Sequence, residues 1–245
     1  MIDCGKIRFT LESSKLSTAE IKVIFWDIGN VCVTYDLSRF TAPFAEHIGA
    51  KEEEVQFALF AGGEGGKNYA EIFKLLECGA VSPSQFLMNL LDNLGKQNAI
   101  DYETFAQLWS SIFLKENHGL SDLISLISAK HFLLSNTNHI VHSRYISRMQ
   151  LVGRHFHLQE QRVLSYRVGA MKPDAAIYLE ALRRAGVTPS ECLFVDDLEE
   201  NIDAWKQFGG AGVVYNARTD SLAQLTHKLL LLGVHIDTQS ANLTA

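Results

Sequence analysis

Four cysteines in 245 residues, Cys4, Cys32, Cys78 and Cys192, are too few and too scattered for a disulfide framework or a thiolate zinc site. No C-x-x-C pair occurs, so free thiols in a reducing compartment are expected. Long apolar runs are also missing. The longest one late in the chain, Leu229 to Leu232, falls far short of the ~20 residues a membrane span needs. Residues 1–20 carry Asp3, Lys6, Arg8 and Glu12 and hold no apolar stretch of the kind a signal peptide has. There is no surplus of positive charge. With 22 Lys and Arg against 28 Asp and Glu, the net charge of -6 gives no reason to expect nucleic acid or an anionic membrane as partner. The expectation is a cytoplasmic protein, monomer or homodimer, that acts on a small molecule.

What is present is an ordinary globular composition, 47% apolar and 20% charged, with length enough for one large core and an inserted module. The chain is organised around Val23-Ile24-Phe25-Trp26, an apolar run that ends in Asp27 and then Gly29-Asn30. Such a run reads as a strand buried on both faces, with Asp27 at the carboxyl end where open α/β sheets bind ligands. The arrangement repeats. Phe132–Leu134 runs into Ser135-Asn136-Thr137-Asn138, and Cys192–Val195 runs into Asp196-Asp197. Val163–Ser165 is followed by Lys172-Pro173. Together these predict a three-layer α/β/α, Rossmann-like core of mainly parallel strands.

Residues 7–11 alternate apolar and polar and predict an edge strand within an N-terminal extension, 1–20. Residues 31–35 predict a short β-flap. From 36 to 115 the period is helical, with Phe40, Phe44 and Ile48, then Val55 and Leu59, then Ile72, Leu75 and Leu76. Ser82 and Pro83 suit an N-cap and first turn, and the pattern continues through 84–94 and 102–113. This block is too long for a crossover and is expected to form a helical cap. Alternation of helix and strand resumes over 116–235, with helices expected at 121–127, 139–149, 174–185, 199–208 and 221–232. Residues 236–245 read as a frayed tail.

The strand ends concentrate Asp27, Asp196 and Asp197. Oxygen-only ligands of this kind suit Mg²⁺, which keeps waters and shares substrate phosphate oxygens. Lys172 and the hydroxyls of Ser135 and Thr137 could hold the remaining phosphate oxygens, because phosphoryl transfer relies on positioning and charge neutralisation. A carboxylate such as Asp27 can itself accept the phosphoryl group. Taken singly, each residue also has a plain reading: Asp196-Asp197 as helix caps, Lys172 as a solvated loop charge. Gly62–Asn68 is glycine-rich but no P-loop, since Ala61 and Asn68 break the pattern and no strand precedes it. It reads as a cap loop that brings Glu64, Lys67 and Tyr69 to the leaving group. Zinc at His139/His142 or His155/His157 finds no partner at suitable spacing, and the three tryptophans read as core.

Asp27-Ile28-Gly29-Asn30-Val31, Leu134-Ser135-Asn136-Thr137-Asn138, Lys172-Pro173-Asp174 and Val195-Asp196-Asp197 with Asn201 resemble, in order, the four motifs of the haloacid dehalogenase superfamily. The 36–115 insertion resembles its C1 cap, and Leu76–Ser82 the ExGxIs element of such caps. The Gly-Asn-Val variant is similar to the branch of α-glucose-1-phosphate phosphatases and soluble epoxide hydrolase phosphatase domains. The resemblance implies a core of 21–35 and 116–235, Asp27 as nucleophile, and Ser135 and Asn136 around the phosphoryl group. It further implies Lys172 bridging the charges and Mg²⁺ held by Asp27, Asp196, Asp197 and the Gly29 carbonyl. Gly29 departs from the pattern, since superfamily phosphatases carry an acid–base Asp there. General acid–base help is typically worth about 10²–10⁴-fold, so a slow enzyme or a substitute donor is expected. Asp36 is the candidate, with a helix N-cap as its plain reading. A sugar phosphate with a good leaving group would need less protonation. The alternatives are a weak or inactive relative that binds a phosphorylated ligand or a protein, and a 2-haloacid dehalogenase, which would have no use for Asp196-Asp197.

Overall fold

The computed structural model describes residues 20–60 and 70–237. The expected edge strand at 7–11, the cap-loop residues Glu64, Lys67 and Tyr69, and residues 238–245 of the tail lie outside them. Numbered in chain order, strands β1 (Val23–Trp26), β4 (Lys130–Ser135), β5 (Arg162–Leu164), β6 (Cys192–Asp196) and β7 (Ala211–Val214) form one sheet in the order β5-β4-β1-β6-β7. Every pairing in it is parallel. Strands β2 (Val33–Tyr35) and β3 (Phe113–Glu116) form a separate antiparallel pair.

β1 lies at the centre, as its unbroken apolar run requires, and all four of its residues are fully buried. Successive side chains point to opposite faces. Val23 and Phe25, with Phe132 and Phe194, meet Tyr178 of α10 (Ala175–Ala185) and Trp205 of α11 (Glu199–Gln207). Ile24 and Trp26 enter the core on the other face, which holds α6 (His118–Ser125), α8 (Gln150–His155) and α12 (Leu222–Leu231). That is the expected three-layer arrangement. Asp174 and Ser221 cap α10 and α12 with side-chain bonds, and Gly186 ends α10 in the left-handed conformation.

Among the described residues, five helices run between β2 and β3: α1 (Ser38–Ile48), α2 (Glu52–Phe60), α3 (Glu71–Glu77), α4 (Pro83–Asn93) and α5 (Tyr102–Ser110). Phe40, Phe44, Phe86, Phe105 and Trp109 interlock there with ring centroids 4.6–6.2 Å apart. Ser82 caps α4 with Pro83 in its first turn.

Two local expectations differ from what is observed. The helix expected to reach Phe113 stops at Ser110, because Phe113–Glu116 is recruited to β2. The helix expected over 139–149 stops early, as α7 (His139–Arg144), and a short 3₁₀ turn and then α8 follow. Glu116 of β3 accepts the N–H groups of Gln150 and Leu151 and so supplies a cap from 34 residues away. No sequence window around residue 150 contains it.

Candidate active site

Parallel strands deliver their carboxyl ends to one edge of the sheet. Asp27 follows β1 and its N–H donates to Val195 O of β6 at 2.9 Å, which sets the two acidic strand ends side by side. Ser135 closes β4, and Lys172 enters from the segment between α9 (Ser165–Val168) and α10. The Lys172 ammonium donates to Asp27 Oδ1 at 2.7 Å, Asp196 Oδ2 at 2.6 Å and Leu134 O at 3.0 Å. It is only 3% exposed, which rules out a solvated loop charge. Asn136 fixes its approach with two bonds to the Lys172 backbone, Nδ2 to O at 2.9 Å and N to Oδ1 at 2.7 Å.

Asp196 is enclosed: besides Lys172, it accepts from Leu198 N–H and from Asn201 Nδ2. Asp197 receives only Asn30 Nδ2, at 3.0 Å, among its described side-chain bonds. Asn30 reaches it from a left-handed turn, φ 51°, a conformation that asparagine tolerates. Ser165 locks the Thr137 backbone by donating to its carbonyl and accepting its N–H, both at 2.9 Å. The Thr137 hydroxyl is left buried with no hydrogen-bond partner, and it lines the cavity.

That cavity measures about 950 Å³ counting its open mouth. Asp27, Gly29, Ser135, Asn136, Thr137, Lys172 and Asp197 all reach it, and Asp196 lies beneath. Asp27, Asp196 and Asp197 each offer an oxygen within 4.8 Å of the others. Burial pushes Asp27 up to about 7; Lys172 opposes this, while Asp196 and Asp197 add to it. Burial also raises Asp197. Burial alone would lower Lys172, but Asp196 and Asp27 hold it above its ordinary value. One ammonium among three carboxylates leaves negative charge uncompensated, and a hard divalent cation with oxygen ligands fits that deficit.

A family model for haloacid dehalogenase-like hydrolases matches residues 21–209. The chain belongs to that family. As a haloacid dehalogenase-like hydrolase it is 30% identical over 193 residues to D-ribitol-5-phosphate phosphatase of Bacteroides thetaiotaomicron, covering 77% of this chain and 89% of that one. It is 38% identical over 68 residues to flavin mononucleotide hydrolase 1 of Arabidopsis thaliana, covering 28% of this chain and 26% of the relative. Its fold matches that of a HAD family enzyme from Bacteroides thetaiotaomicron crystallised with magnesium and inorganic phosphate. The TM-score is 0.66 at 24% identity, covering 84% of this chain and 98% of that one.

The hydrolase's cavity does not include Asp36 among its described lining residues. The Asp36 carboxylate instead accepts Ser38 N–H at 3.0 Å and Ser38 Oγ–H at 2.8 Å at the start of α1. Those bonds hold it below its usual range. Asp36→Asn is expected to leave kcat unchanged from pH 5 to 9, because an asparagine carbonyl can accept the same two Ser38 bonds; a lost basic or acidic limb in the pH profile would contradict this.

One cavity residue was assigned no role from sequence. Glu77 ends α3, is buried, and accepts Asn138 Nδ2 at 2.6 Å. Sequence placed it in the stretch that resembles the ExGxIs element and four residues from Phe73 on the apolar face of α3, but not beside Asn138. Gly79, two residues later, has φ 65°, and a Cβ there would lie 2.2 Å from Tyr166 O, so the chain must be glycine where α3 turns against the core. Burial pushes Glu77 up to about 7, with the Asn138 bond opposing. The folded protein thus keeps a proton that the unfolded chain loses near 4.5, and this contribution to stability declines as pH rises from there to about 7. Glu77→Gln keeps an acceptor for Asn138 and removes the titration. Relative to the parent, its stability should gain about 3 kcal/mol between pH 4.5 and 8, read by urea unfolding.

Proposed function

We propose that this hydrolase is a Mg²⁺-dependent phosphatase of a small phosphorylated metabolite, working through a phosphoryl group carried on Asp27. The observation that carries the reading is the Lys172 ammonium, buried and bonded to both Asp27 and Asp196 at the floor of a cavity that Ser135 and Thr137 also line. The relative named a phosphatase of ribitol 5-phosphate, and the structural neighbour holding magnesium and phosphate, support it.

In this reading the free Asp27 oxygen attacks phosphorus, the bond from phosphorus to the leaving oxygen breaks, and that oxygen takes its proton from solvent water to leave as the alcohol. Water then attacks the phosphoryl group and passes its proton to solvent, the Asp27–phosphorus bond breaks, the carboxylate is restored and inorganic phosphate is released. Lys172 neutralises the phosphoryl charge and orients Asp27; Ser135 and Thr137 donate to its peripheral oxygens. Asn136, with its side chain engaged on the Lys172 backbone, frames the site. Asp27, Asp197 and the Gly29 carbonyl would hold the metal, with Asp196 supporting Lys172 and contributing at most through water. Mg²⁺ bound there supplies positive charge to the phosphoryl oxygens. Cap residues 36–115 enclose the leaving group, and Glu64 and Lys67 border it in this proposal.

Gly29 removes the side chain that would protonate the leaving oxygen. A Cβ at this position would lie 2.9 Å from Tyr35 Cε1, so the Tyr35 ring fills the space an acid would need. Turnover should be slow by roughly the 10²–10⁴-fold that acid–base help provides. The test is phosphate release from a panel of phosphomonoesters with Mg²⁺ and with EDTA. Chelation should abolish release, and readdition of Mg²⁺ should restore it. Silence across the panel with phosphate-mimic binding intact would favour a binding protein disabled at Gly29.

A further inference from the structure

The wall of the cavity away from the strand ends is unlike the floor. Tyr35 of β2, Phe40 of α1, Phe60 of α2, Phe73 of α3, Trp109 of α5 and Phe113 of β3 all face into it. Four of the rings form a continuous surface: centroids lie 4.6 Å apart for Phe40 and Trp109, 5.8 Å for Phe73 and Trp109, and 5.9 Å for Phe60 and Phe73. Aliphatic side chains fill the gaps between them, including Leu59, Ile112 and Ile146. Among the described residues, Glu77 is the only ionisable carboxyl or ammonium on this wall, and it is already hydrogen-bonded to Asn138.

We propose that the leaving group this site accepts carries an extended, largely apolar ring system next to its phosphate-bearing arm, rather than being a bare polyol or sugar. This rests on the phosphatase reading above. Among the described residues the phosphate end of the cavity is polar, and the lining beyond it is mostly hydrocarbon and aromatic face, with the Tyr35 hydroxyl, Asn138 and Glu77 as its polar groups. A bare polyol phosphate would leave this wall uncovered, and a hydroxyl turned toward its rings would give up water with few polar groups among the described residues to receive it. Each hydroxyl buried without a partner weakens binding roughly five- to hundredfold. A ring system at the end of the arm covers that wall with flat apolar area and gains offset or edge contacts with its rings, a term that a bare polyol phosphate lacks. Glu77, kept largely protonated below about pH 7 by burial, provides one group able to donate as well as accept.

A matched pair of substrates isolates this term. Flavin mononucleotide and ribitol 5-phosphate both carry phosphate on the terminal carbon of the same ribityl chain and differ in the ring. With Mg²⁺ present, kcat/KM for flavin mononucleotide should exceed that for ribitol 5-phosphate by about tenfold or more. Ile112→Asn, at a half-buried position of the wall, should narrow the ratio by placing an amide there; Phe113→Asn provides a second variant on the flap. Equal ratios, or preference for ribitol 5-phosphate, would overturn the inference and leave the phosphatase reading standing. An unchanged ratio in folded Ile112→Asn and Phe113→Asn proteins would overturn it too. Phosphate release from neither compound, nor from any other phosphomonoester in the panel, would remove the phosphatase reading itself.

Discussion

Asp27→Asn is expected to lower phosphate release on the order of 10⁴–10⁶-fold, the scale seen when a covalent nucleophile is removed, while leaving the protein folded. The two halves of that expectation have separate origins. Turnover collapses because an amide cannot accept the phosphoryl group and return as a carboxylate. The fold survives because Lys172 retains Asp196 at 2.6 Å and Leu134 O at 3.0 Å when one of its partners becomes neutral. Burial already pushes Asp27 up to about 7, so its ionised form is poorly tolerated without a cation. The folded state holds a proton there that the unfolded chain sheds near 3.8, and this part of the stability is lost as pH rises to about 7. The variant should therefore unfold at an equal or higher urea midpoint than the parent at pH 8, with the difference shrinking toward pH 4. Metal-dependent phosphate release at more than a few per cent of the parent rate would remove Asp27 from the nucleophile's role.

The central strands and the acidic strand ends were legible because they are local. Val23–Trp26 and Cys192–Val195 are apolar runs that stop at an acid, and the parallel sheet follows from burying them on both faces. The helical insertion was legible from period alone. What could not be read are features made by partners far apart in the chain. Lys172 looks like any loop lysine until β1, β4 and β6 surround its ammonium, and only the order of motifs pointed to it. Glu77 meets Asn138 across 61 residues. Glu116 caps α8 only after β3 has paired with β2. Gly29 was noticed as a missing acid, yet the Tyr35 ring that stands where its side chain would be depends on the fold of the flap. Asp36 shows the converse: its hydrogen-bond partner, Ser38, is two residues away, and the bonds close a local turn just ahead of α1, whose N-cap position is Leu37 rather than Asp36.

Lys172→Met should abolish turnover and destabilise the protein at once. Methionine matches the lysine stem in length and apolar packing, so the loss isolates the ammonium. Without it, Asp27 and Asp196 face each other in a buried site with no counter-charge. Breaking one side of a buried ion pair typically costs about 3–5 kcal/mol, a large part of the ~5–15 kcal/mol that holds a domain folded. The sign with pH follows from the carboxylates. Removing Lys172 raises Asp27 further, so the variant is favoured where the acid is protonated and penalised where it must ionise. Its deficit relative to the parent should widen from pH 5 to pH 8. Mg²⁺ separates a missing charge from a misshapen site. If the lesion is electrostatic, a cation at Asp27 and Asp197 offsets it, and millimolar Mg²⁺ should raise the variant's Tm more than the parent's. A deficit independent of both pH and Mg²⁺ would mean that Lys172 acts through packing, and the charge-balance account of this site would fail.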